Sequence, residues 1–89
     1  MRLRNERLTW REIDGEIVAL DLETSSYFNC NQSASVLLKR LAEAETTEEQ
    51  LIDLLLDEFD VDPERASTDV REFLGTLDEQ GLLDIGSAP

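Results

Sequence analysis

The dipeptide Asp14-Gly15 constrains this chain more than any other feature, because both residues tolerate the positive φ angles of a two-residue hairpin turn and short β-rich runs flank them. Residues 8–13 (LTWREI) and 16–22 (EIVALDL) are those runs. In the second, Val18, Leu20 and Leu22 alternate with Ala19 and Asp21, the pattern of a sheet with one buried face. The segment ETSS then turns the chain, and YFNC, Tyr27 to Cys30, forms a third strand. In a meander of this order the third strand lies at an edge, with its outer N–H and C=O groups unpaired. A segment that short is not stable alone, so its open side is the first place to look for a ligand.

From residue 31 the apolar period changes from two to that of a helix. Asn31 can cap a first helix whose stripe is Ala34, Leu37, Leu38 and Leu41, running to about residue 43. Thr46 and Glu49 are spaced as a capping box for a second helix. Its apolar residues, Leu51, Ile52, Leu54, Leu55, Leu56 and Phe59, wrap more than half its circumference, which makes it the helix expected to be most buried. Asp62-Pro63 is a cap followed by a first-turn proline, opening a third helix that ends near Gln80 with Gly81 free to close it in the left-handed conformation. The stripe of this helix is Ala66, Val70, Phe73, Leu74 and Leu77, with Gly75 opposite at a cost of about 1 kcal/mol relative to Ala. The residues GLLDI can add a last extended piece.

The expected fold is therefore α+β and winged-helix-like: a three-stranded antiparallel β-meander followed by three α-helices. Eighty-nine residues hold one core. The expected division is a basic arm at residues 1–7, a single domain over 8–85, and a frayed tail, GSAP, at 86–89.

Charge excludes the function that a winged helix first suggests. The formal net charge is −13, and residues 1–11 hold four Arg against one Glu, so the rest of the chain is strongly acidic. Such a field repels nucleic acid and anionic membrane. Residues 62–80, which would be the reading helix, carry Asp62, Glu64, Asp69, Glu72, Asp78 and Glu79 against only Arg65 and Arg71. That helix would be driven off a phosphate backbone.

Catalysis finds no machinery. The chain has no His, so it lacks the commonest base near neutral pH and the usual metal ligand. The single cysteine, Cys30, has neither base nor cation among its neighbours Asn29, Asn31 and Gln32, and reads as a small apolar core side chain. In DEFDVDPE, residues 57–64, the acidic spacing lacks the glycine and the closing Glu of a calcium loop, since Arg65 and Arg71 stand there. No cofactor is expected. An acidic carrier protein would need a serine at a helix start, usually within Asp-Ser-Leu; no Asp-Ser pair exists, and the hairpin does not suit an all-helical carrier. One unpaired cysteine, a basic start without an apolar run, and no window near the length of a membrane span make the cytoplasm the expected location.

The hairpin, an aromatic third strand leading into Asn31-x-Ser33-Ala34, an apolar first helix and the segment FDVDPERASTDVREFLGTLDEQGLL (59–83) together resemble the PqqD-like family, also called the RiPP recognition element. The likeness runs from about Leu8 to Leu83 and rests on order and spacing. Its most specific part is the third helix, with its Val-Asp-Pro opening followed by Asp69-Val70, Phe73-Leu74, Leu77 and Gly81-Leu82. The chain departs from the family in having Cys30 where Leu often precedes the capping Asn.

The resemblance implies a non-catalytic module that binds the leader segment of a ribosomally made precursor peptide. The leader adds as a strand along Tyr27, Phe28, Asn29 and Cys30, with Asp69, Val70, Phe73, Leu74 and Leu77 of the third helix as the available groove residues. Helical spacing does not say which flank of that helix faces the groove. The resemblance further implies a leader peptidase and a modifying or cyclising enzyme as partners, and the third helix is most similar to the lasso-peptide type. The alternative is an acidic winged-helix protein-interaction module of a transcriptional complex that does not itself read DNA.

Overall fold

The computed structural model describes residues 1–85, and the expected tail at 86–89 lies outside them. In chain order the elements are β1 (Arg2–Leu3), a 3-10 turn (Asn5–Arg7), β2 (Leu8–Ile13), β3 (Glu16–Asp21), β4 (Tyr27–Cys30), α1 (Gln32–Glu43), α2 (Glu48–Glu58), α3 (Pro63–Glu79) and β5 (Leu83–Asp84). The antiparallel meander β2-β3-β4 precedes the three helices, as the α+β pattern predicts. Asp14 and Gly15 turn the hairpin with φ of 53° and 82°, so that Ile13 faces Glu16.

The face of β3 that turns inward is the opposite of the one its alternation suggests. Ile17 and Ala19 are fully buried and Asp21 is 2% exposed, whereas Val18 is 38% and Leu22 55% exposed. Two polar groups set this parity. Arg7 pairs with Asp21 at 3.0 Å, which lets a carboxylate sit inside. The buried hydroxyl of Ser35 accepts from Ile17 N–H at 2.9 Å and donates to Cys30 C=O at 3.0 Å, bridging α1 to the last ladder position between β3 and β4. The inner face then packs on Leu37, Leu38 and Leu41 of α1.

The helix starts carry the expected caps, with one shift. Asn31 accepts from Ala34 N–H at 2.9 Å, and Asp62 from Arg65 N–H at 2.8 Å. For α2 the capping box lies one residue later than Thr46 and Glu49: Thr47 accepts from Gln50 N–H at 3.1 Å, and Gln50 Oε1 accepts from Thr47 N–H at 2.9 Å. Thr46 is instead buried, its hydroxyl donating to Ala44 C=O at 2.8 Å. Both spacings fit a capping box, and the burial of Thr46 decides between them.

The expectation that α2 is the most buried helix is not met. It packs mainly on α3 and α1, and only Leu51 and Leu55 are fully buried, while Ile52, Leu54 and Leu56 are half-exposed. Its apolar circumference exceeds what two neighbouring helices cover. The helix with most buried side chains per turn is α1.

The first residues are not a separate arm. Arg2–Leu3 pairs antiparallel with Leu83–Asp84, Leu3 is buried with Leu82 and Leu83, and Arg4 N–H donates to Leu82 C=O at 2.8 Å. Two-residue strands carry no readable periodicity, so the clasp between the two ends of the fold left no pattern beyond an extended tendency in GLLDI.

Candidate peptide-binding edge and groove

In the order β2-β3-β4, the outer edge of β4 has no strand beside it among the described residues. Which of its groups point outward follows from the ladder. Asp21 N–H donates to Ser26 C=O at 2.8 Å, making 21/26 a hydrogen-bonded pair. With Leu20 opposite Tyr27, Ala19 opposite Phe28, Val18 opposite Asn29 and Ile17 opposite Cys30, the alternation of an antiparallel ladder assigns the inward bonds to Phe28 and Cys30. The Ser35 bridge between Ile17 N–H and Cys30 C=O agrees. The N–H and C=O groups of Tyr27 and Asn29 therefore face the open edge.

Side chains along β4 alternate the other way, between the faces of the sheet. Cys30 is buried and Phe28 packs against the core, while Tyr27 and Asn29 stand exposed on the outer face. Burial pushes the Cys30 thiol up to about 11, so at neutral pH it is protonated and carries no nucleophile.

The turn that delivers β4 is pinned through Asp21. Its Oδ1 accepts from Glu23 N–H at 2.9 Å and Thr24 N–H at 3.4 Å, and Ser25 adopts a left-handed φ of 61° to complete the turn. Its Oδ2 holds Arg7, whose guanidinium also donates to Gly81 C=O at 3.2 Å, tying the start of β4 to the end of α3. The Arg7 Nε lies 3.3 Å from Glu23 Oε2 without the geometry of a hydrogen bond.

Beyond the end of β4 a depression runs between the start of α1 and the flank of α3. Its larger part, about 680 Å³, is bounded by Asn31, Ser33, Phe59, Val61, Arg65 and Asp69. A smaller part of about 250 Å³ shares Asn31, Ser33, Arg65 and Asp69, and continues to Leu37 and Phe73. The shared residues make the two parts one groove. Along it lie apolar surface from Phe59, Val61 and Phe73 and carboxylates from Asp62, Asp69 and Glu72, with Arg65 held on Asp69 at 3.3 Å.

Of the helix residues expected at the groove, Asp69 and Phe73 line it. Val70, Leu74 and Leu77 do not: they are buried in the core on the other flank of the stripe. The residues missed by sequence reasoning are Asn31, Ser33, Phe59, Val61 and Arg65. A signal for Val61 existed, since an apolar residue just before a capping Asp, five positions ahead of Ala66, is the spacing of a hydrophobic staple. The i, i+4 spacing of Arg65 and Asp69 likewise marked one flank as polar.

Among the described residues, no cluster of His, Cys, Asp or Glu is placed to hold a metal ion, and no helix is long and apolar enough to cross a membrane.

Residues 16–83 match the family of coenzyme PQQ synthesis protein D (PqqD). No curated protein sequence matches the chain. Two solved structures are similar to it. One is TbiB1 in complex with the TbiA(beta) leader peptide, at 28% identity and a TM-score of 0.82, covering 99% of this chain and 100% of that one. The other is a lasso peptide synthetase B1 complexed with the leader peptide, at 25% identity and a TM-score of 0.73, covering 91% and 93%.

Proposed function

The chain belongs to the PqqD family, and on that premise we propose that it is a non-catalytic recognition module binding the leader segment of a ribosomally synthesised precursor peptide. The observation that carries the proposal is the open edge of β4, where Tyr27 and Asn29 direct their backbone groups away from β3, near the groove that Asn31, Asp69 and Phe73 line. The two similar structures are both complexes with leader peptides, which supports a leader peptide as the ligand here.

A strand added to β4 takes main-chain bonds from Tyr27 and Asn29, and its alternate side chains fall toward the groove. There Phe28 and Phe73 offer apolar contact, and Asp69 offers a carboxylate to a basic or hydrogen-bonding side chain. Val70, Leu74 and Leu77 hold α3 in place from beneath, and Cys30 fixes the end of the strand. The peptide is handed to separate enzymes, a leader peptidase and a modifying or cyclising enzyme, in the cytoplasm, and the module needs no cofactor. The reading as an interaction module of a transcriptional complex finds no support among the similar proteins.

Amide hydrogen exchange read residue by residue tests the proposal, with the TbiA(beta) leader as the probe. In the free protein the Phe28 and Cys30 amides should be protected and those of Tyr27 and Asn29 should exchange fast. A bound leader is expected to protect Tyr27 and Asn29. Binding that leaves both amides in fast exchange would remove strand addition from the account.

A further inference from the structure

The centre of the outer face of the β2-β3-β4 sheet exposes apolar side chains where a one-sided sheet would be polar. Ile13 is 53%, Val18 38% and Tyr27 72% exposed, and Leu20 is half-buried beside them. The ladder register places Thr9, Arg11 and Ile13 of β2, Glu16, Val18 and Leu20 of β3, and Tyr27 and Asn29 of β4 on this one face, with Glu16 at its end opposite Ile13. Thr9, Arg11, Ile13, Val18, Leu20 and Tyr27 border a shallow depression of about 470 Å³ on it. Past Glu16 at its start, β3 carries apolar side chains on both faces, Ile17 and Ala19 inward and Val18 and Leu20 outward, as a strand covered from both sides does. Among the described residues no helix covers the outer one.

Arg11 stands in the middle of this face, directly opposite Val18. It has no ion-pair partner among the described residues, although the chain carries 21 acidic side chains. An unpaired guanidinium within apolar and Tyr surface has the composition of an interface centre, where Arg and Tyr are enriched. A second copy of the chain is a poor occupant. Each copy carries a net charge of −13, and face-to-face packing would bring the central Arg11 of one against that of the other.

The face is continuous with the peptide edge. Tyr27 and Asn29, whose backbone groups face the edge, carry their side chains on the outer face. A protein seated there therefore touches whatever strand lies along β4. We propose that this outer face seats the enzyme that acts on the bound peptide, through an apolar surface of that enzyme bearing a carboxylate opposite Arg11. The inference rests on the leader-binding reading above and adds to it the surface that recruits the enzyme.

Arg11→Glu and Ile13→Ser, singly and together, test it, since both side chains are exposed and neither belongs to β4. Leader affinity is measured by fluorescence anisotropy. Maturation of a precursor bearing that leader is measured with a lasso-type leader peptidase and cyclising enzyme, and self-association by sedimentation. The expected result is leader affinity within about twofold of wild type and maturation slowed about tenfold or more in the double variant, the loss of roughly one interface hot spot. Undiminished maturation would overturn the inference. So would an equal fall in leader affinity, which would put the peptide itself on this face, or a wild-type dimer that the variants dissociate, which would put a second copy there. A wild-type protein that binds no leader would instead sink the leader-binding reading, and the inference with it.

Discussion

Asp21 shows at the scale of one residue why the inner face of β3 could not be read from alternation. An Asp is rarely buried unless paired, so Val18, Leu20 and Leu22 look like the core set and Asp21 like solvent surface. The partner is Arg7, in a stretch that reads as a basic arm and carries no pattern linking it to the sheet. Burial acts to raise the Asp21 pKa, but the N–H groups of Glu23 and Thr24 and the Arg7 guanidinium together outweigh it and leave the carboxyl below its usual value. A lowered folded pKa gives stability that is complete above the unfolded value, about 3.9, and is lost as pH falls through the folded value. Asp21→Asn should therefore lower the melting temperature at pH 7, and its deficit against wild type should shrink as pH is taken below 4. A deficit that stays constant through the acid range would mean that the carboxylate charge does not stabilise the turn. Cys30 was legible, since a cysteine without a base or cation beside it reads as packing. Cys30→Ala should cost about 1 kcal/mol and leave leader affinity intact in the folded protein, as urea melts and peptide titration would register.

At the scale of elements, the hairpin, β4 and the three helices were legible because each has its own punctuation: Asp14-Gly15, Asn31, Asp62-Pro63 and Gly81. What periodicity cannot supply is which flank of a helix meets which neighbour, and α3 shows the consequence. Its stripe contains both core residues and groove residues, and only packing separates Val70, Leu74 and Leu77 from Asp69 and Phe73. Leu77→Ala should open a cavity and cost roughly 2–5 kcal/mol, with leader affinity kept in the molecules that remain folded. Phe73→Ala should do the reverse, weakening the leader more than the fold. Equal effects of the two on binding would place the peptide somewhere other than this flank. Gly75 faces open space, with nothing within 4 Å of an added Cβ, so Gly75→Ala should stabilise α3 by about 1 kcal/mol without touching the groove.

For the whole molecule, the sheet-before-helices order and the acidic charge were enough to set DNA aside, whereas the clasp of β1 on β5 and the apolar outer sheet face emerged only with the fold. The central claim is that β4 offers a strand-adding edge through Tyr27 and Asn29 and not through Phe28 and Cys30. Proline removes one N–H and is tolerated on the solvent side of an edge strand but not in a ladder. The direct test is titration of a labelled leader peptide against Asn29→Pro and Phe28→Pro, with circular dichroism and melting as folding controls. Asn29→Pro should fold and melt close to wild type and lose leader binding, while Phe28→Pro should be destabilised through the β3 ladder. A folded Asn29→Pro protein that binds the leader as wild type does would contradict the account.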